Sequence, residues 1–138
     1  MGEGGELPVR VIDGSAVFDL ADFAREFSGV LSGYRWRGNL DALDDILRGG
    51  FGTPEGGFVL RWDHAEMSKH WLGHRALATL IEERMASSHP THRPALRAEL
   101  ELARREEGPT LFDVLVGIIR NHGPGGTEAR DNVHLDLR

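Results

Sequence analysis

Apolar residues recur along this chain with two periods, and the switches between them mark out the elements. Residues 9–13 (VRVID) alternate as a short strand does, and Asp13-Gly14 supplies a turn. From Asp19, a suitable helix cap, Leu20, Phe23, Ala24, Phe27, Val30 and Leu31 recur at helical spacing until Gly33 stops them. Asn39 caps a second helix running to Leu47 or Arg48, with Leu40, Leu43 and Leu47 as its inward stripe and Gly49-Gly50 as its end. Residues 58–62 (FVLRW) are apolar almost throughout, as befits a central strand covered by helices on at least one face.

Asp63 is placed to cap the next helix, which carries Ala65, Met67, Trp71 and Leu72. A helical pattern resumes at Ala76, Leu77, Leu80, Ile81 and Met85 and breaks at Ser87-Ser88-His89-Pro90. Residues 95–107 form a charged helix with Leu96, Leu100 and Ala103 on one narrow face. Thr110 caps an apolar helix over residues 111–121, and residues 132–137 alternate again, with Val133, Leu135 and Leu137 on one side. Strands separated by helical crossovers favour a parallel sheet, because parallel neighbours need long connections. The expectation is a single α/β domain with a small three-stranded parallel sheet packed with helices, and 138 residues suit one core better than two.

Composition narrows the chemistry. The chain has no cysteine, which excludes disulfides, thiolate metal sites and cysteine nucleophiles. A net charge of −6 argues against binding nucleic acid directly and suits a basic partner if the acids cluster. Residues 1–8 carry Glu3 and Glu6 with no lysine or arginine, and no apolar run of leader or bilayer length follows, so the expected location is the cytoplasm, away from membranes.

The acids do cluster. Asp41 and Asp45 lie four apart on one face of the second helix, with Asp44 flanking them. Such a face is tolerable on any solvated surface, and it becomes useful against a basic cleft, where carboxylates can imitate a phosphate and bind arginine bidentately. Tyr34 and Trp36, in the loop before the helix, are candidate contact anchors, although either could instead cover the edge of the core.

The stretch 36–47 (WRGNLDALDDIL), the strand and helix start Val59-Leu60-Arg61-Trp62 with Ser68-Lys69, and the order of elements together resemble the barstar family of intracellular ribonuclease inhibitors. The resemblance implies a barstar-like domain over residues 1–138, with residues 76–108 as a helical insertion relative to the family. It implies that Asp41 and Asp45 enter the active site of a guanyl-preferring ribonuclease, Asp45 in the phosphate-like position. Tyr34, Trp36, Asn39 and Asp44 would lie alongside, with Phe51 in place of an exposed tryptophan or else facing the core. Asp44 stands where the family has an aromatic residue, and Gly117, beside Val116, stands where it has a glutamate; Val116 and Gly117 would then offer a close apolar approach. Arg35 and Arg37 interrupt the loop with positive charge, which points to a specificity of its own. The implied partner is a secreted or toxin ribonuclease with a basic cleft, bound one-to-one by a monomer, with no catalysis and no cofactor. The alternative is an immunity or adaptor protein of the same fold with a partner that is not a ribonuclease.

Other chemistry is less well supported by the pattern. Among seven histidines, His70 and His74 are spaced for one helix face, with Glu66 a turn earlier, but no third metal ligand is fixed. His122 or His134 could serve a hydrolase, although nothing in the sequence brings them together. Leu96 and Leu100 could pair with a helix of another chain, but their repeat is short for a coiled coil.

Overall fold

The computed structural model describes residues 6–138; residues 1–5, on which part of the leader reading rests, lie outside the described residues. Three strands, β1 (Val9–Asp13), β2 (Phe58–Asp63) and β3 (Val133–Leu137), form one sheet in the order β1-β2-β3, and both pairings are parallel. Ile12 pairs with Trp62, and Trp62 with Leu137, so β2 and β3 contribute apolar rows to one face, whereas β1 adds only Ile12 to it and leaves Val9 and Val11 exposed on the other. β2 is central and alternates strictly: Phe58, Leu60 and Trp62 are buried, while Val59, Arg61 and Asp63 are only partly covered.

Helices α1 (Leu20–Ser28), α2 (Leu40–Arg48) and α6 (Leu111–Asn121) supply most of the other side of that core. Phe23 and Phe27 of α1, Leu43, Ile46 and Leu47 of α2, and Leu111, Leu115 and Ile119 of α6 are all buried in one cluster with the sheet. α6 starts on a capping box, in which Thr110 Oγ1 accepts from the Asp113 amide at 3.1 Å and Asp113 accepts from the Thr110 amide at 3.0 Å. Between β2 and α6 run α3 (Ala65–Trp71), α4 (His74–Ser87) and α5 (Arg93–Arg104). α4 and α5 form a hairpin with its own small cluster of Ala78, Ile81, Leu96, Leu100 and Ala103, which Leu77 also touches while packing on the main core.

Several boundaries differ from expectation. α1 ends at Ser28, not at Gly33, because the Gly29 amide closes the last turn and the amides of Val30 and Leu31 bond three residues back in tight turns. Asp63 does not cap α3; it finishes β2 and pairs with Arg61 at 2.9 Å, and the cap position falls to His64 in the left-handed region (φ 53°). The charged helix spans Arg93–Arg104 rather than 95–107, because Pro94 fits its first turn and Glu106 takes a positive φ. Its Leu96–Leu100 face is covered by the chain's own α4, so it is not left open for a helix of another chain.

Candidate functional site

Asn39 fixes the start of α2. Its side chain accepts from the amides of Asp41 (2.9 Å) and Ala42 (3.3 Å), which satisfies helix-start donors that would otherwise be orphaned. With Leu43, Ile46 and Leu47 turned into the core, Asp41 and Asp45 are left exposed together on the outer side. Gly49, at φ 108°, ends the helix in a conformation that a side chain would strain.

The loops that enter and leave α2 are stitched to each other. The Ser32 amide donates to the Gly52 carbonyl at 3.0 Å, and a Cβ on Gly52 would fall 2.6 Å from the Ser32 nitrogen. That close approach brings Tyr34 and Phe51 edge to face, with ring centroids 5.3 Å apart and each residue 39% exposed. Phe51 therefore faces outward with Tyr34.

Two of the expected contact residues are placed otherwise. Trp36 is only 2% exposed: its ring lies edge-on to Phe23 and Phe27, with centroids 5.9 Å from each. Its indole N–H donates to the Asn39 carbonyl at 2.8 Å, and its backbone amide and carbonyl both bond the Ser28 hydroxyl. With every polar group satisfied inside, this side chain is a strut beneath α2 and no surface anchor. Val116 is likewise buried on the inner side of α6, whereas Gly117 is exposed with open space beyond it.

Asp44 also has a role the spacing did not reveal. Its Oδ1 lies 2.8 Å from Nε2 of His122, a fully buried histidine that follows α6, and Nδ1 of the same ring lies 2.7 Å from Asp131. Beside this bridge, Arg48 reaches Asp45 at 2.8 Å and Glu128 at 3.3 Å, and Arg130 joins Glu128 at 3.0 Å. Partial desolvation lowers the affinity of the Arg48 guanidinium for its proton, but Glu128, Asp45 and Asp44 outweigh this and hold its pKa above the ordinary value. His122, Glu128 and Asp131 thus belong to the surroundings of α2 although 78 residues separate Asp44 from His122.

The competing centres do not assemble. His70 lies in the last turn of α3 and His74 opens α4, with Leu72 and Gly73 breaking the helix between them, and His74 Nε2 is engaged by the Gly108 carbonyl at 3.0 Å. Among the described residues, no group of three or more His, Cys, Asp or Glu is arranged to hold a metal ion. His122 is inaccessible to a substrate, and His134 lies on β3 against Asn132 at 2.7 Å. No helix among the described residues is long and apolar enough to cross a membrane.

No curated protein matches the chain significantly. A family model described as barstar, the barnase inhibitor, matches residues 7–106. The match takes in β1, α1, the whole of α2, β2 and the helices through α5, and stops short of α6, His122 and β3. Proteins of that family are inhibitors and not enzymes, in keeping with an exposed acidic helix on a small parallel sheet. On the extent of this match, the chain belongs to the barstar family.

Proposed function

We propose that this protein inhibits a ribonuclease with a basic active-site cleft by inserting the acidic face of α2, with Asp45 in the position of a substrate phosphate. The observation that carries the proposal is that Asp41 and Asp45 stand exposed together on a helix whose other side is locked into the core. Asp45 is held ready by an exposed i, i+3 pair with Arg48, a contact of small worth, and Arg48 keeps Glu128 when Asp45 is handed to a cation of the partner. The Tyr34–Phe51 pair supplies apolar area with little rotamer freedom to lose. Exposed Arg35 and Arg37 favour a target with acidic groups near its cleft and so a specificity distinct from that of relatives.

In this reading the protein acts in the cytoplasm as a monomer that binds one enzyme molecule. It serves as antitoxin or immunity protein against a secreted or incoming ribonuclease. Inhibition is steric and electrostatic, with no turnover and no cofactor. The test is titration against a small guanyl-preferring ribonuclease with RNA cleavage as readout. Wild type should inhibit stoichiometrically. Asp45→Ala should weaken the complex by about 2–5 kcal/mol, roughly 30- to 5,000-fold in Kd, a magnitude taken from charge pairs of this kind, the family's own complexes among them. Absence of any complex with such an enzyme would sink the proposal and favour a partner that is not a ribonuclease.

A further inference from the structure

The bridge behind α2 has features that surface packing does not require. His122 is fully buried, and each of its ring nitrogens faces a carboxylate: Asp44 on α2 and Asp131 at the end of the 3-10 turn Ala129–Asp131. At 2.8 and 2.7 Å both contacts are of hydrogen-bond length, so the ring is held from two sides. The backbone of His122 is fixed as well: its amide donates to the Ile119 carbonyl at 3.1 Å, and its carbonyl accepts from the first amide of β3, that of Val133, at 2.9 Å. His122 therefore ties α2 to the end of α6 and the start of β3.

Asp44 is the residue through which this tie can set the orientation of the helix. It lies about 100° around the axis from Asp45, at the margin between the buried stripe and the exposed acids. The apolar residues Leu43, Ile46 and Leu47 hold α2 down but resist a small roll or slide only weakly, because packing is less directional than a hydrogen bond. A hydrogen bond at the margin fixes both.

We infer that His122 is a positioning residue for the acidic face of α2, acting through Asp44; the inference rests on the inhibitory reading of that face. It places a determinant of binding in the segment beyond residue 106, where the family match has ended. Asp44 in this account serves the interface from behind.

The experiment uses the full chain against a small guanyl-preferring ribonuclease, with affinities measured for H122Q, D44A, D44N, D45A and the double variant H122Q/D45A. H122Q and D44A should each weaken binding by about tenfold, and D45A should cost less when His122 is replaced, because a displaced Asp45 has less to lose. D44N keeps an oxygen to accept from the ring and should remain near wild type. A role in stability alone would lower the melting temperature and leave the cost of D45A unchanged, and that result would overturn the inference. If H122Q does not fold, D44A with D44A/D45A makes the same comparison at a partly exposed position. Amide exchange separates the two claims. In D44A the amides of α2 should exchange faster while those of α1 do not. Intact wild-type inhibition with unchanged α2 exchange in D44A would overturn the clamp alone, whereas failure of wild type to inhibit would overturn the inhibitory reading beneath it.

Discussion

Replacing Trp36 by alanine gives a direct test of what holds the candidate interface in place. The indole is buried between Phe23, Phe27 and the start of α2, so truncation removes two edge-to-face contacts and leaves a large void. Core Trp→Ala changes cost about 3–5 kcal/mol. The lost bond to the Asn39 carbonyl adds little, because that oxygen still accepts from the Leu43 amide at 3.2 Å. A loss of about 4 kcal/mol is a large part of the 5–15 kcal/mol typical of a domain. It should lower the melting temperature by roughly 12–20 °C for a chain of this size. Trp36→Phe keeps a ring on Phe23 and Phe27 and should cost about 1–2 kcal/mol. The assay is urea unfolding followed by far-UV circular dichroism, since tryptophan emission is itself altered by the change. A cost below about 1 kcal/mol for Trp36→Ala with an unchanged m-value would refute the burial argument. A drop in affinity beyond about tenfold for folded Trp36→Phe would return this residue to the interface.

Three further outcomes follow from the same structure. Arg48→Gln removes the internal competitor for Asp45, so association with a basic ribonuclease should speed up by about two- to threefold at low salt, with the gain fading as salt rises; stopped-flow rates that fall instead would show that Arg48 itself meets the partner. Leu100→Ala opens the small cluster between α4 and α5 and should cost about 2–3 kcal/mol, with amide protection lost in the hairpin first and inhibition unchanged; equal loss in β2 would show that the hairpin is not a separate unit of stability. Asp13, through hydrogen bonds from Ser15, Asp22, through the Phe18 amide, and Asp63, through Arg61, are held below the ordinary carboxylate pKa in the fold, so their stabilisation is present above about pH 4 and lost as pH falls below it; urea midpoints that did not decline there, or an Asp63→Asn cost that did not shrink, would contradict this.

The sheet and the acidic face were legible because both are local. The nearly continuous apolar run of residues 58–62 marks the central strand and the alternation of 132–137 the last one, and the four-residue spacing of Asp41 and Asp45 sets them on one side of a helix whose cap, Asn39, can be read from its type. For Trp36 the choice between anchor and core stayed open because a loop has no period to give its side chains a phase, and flanking Arg35 and Arg37 make the segment look solvated. What buries it is the Ser28 hydroxyl, which satisfies both of its backbone groups from eight residues away. Val116 failed for a different reason: its neighbour Gly117 does face outward, and an error of one position in a helix turns a residue by about 100°. The His70–His74 spacing shares one face only on a continuous helix, and Leu72 and Gly73 break it.

On the proposed function, an acidic face suited to a basic partner is also a liability to the free protein, and its surroundings contain that liability. Asp41 sits in the first turn of α2, where the helix dipole favours it, but Asp44 and Asp45 come later and gain little there. Each of the two is instead matched to a cation-capable group, and the two matches differ in kind. Arg48 meets Asp45 at the surface, where the pair is screened and readily exchanged, so Asp45 stays available. His122 meets Asp44 from the interior, where the contact is sheltered and shared with Asp131, so Asp44 is committed. The acid with the exchangeable counter-ion is the one suited to enter a cleft, and the acid with the buried hydrogen-bond partner is suited to hold the helix while it does so. The same helix with both acids exchangeable would carry as much charge and have less to fix its orientation, which is why the D45A cost measured with and without His122 separates orientation from charge.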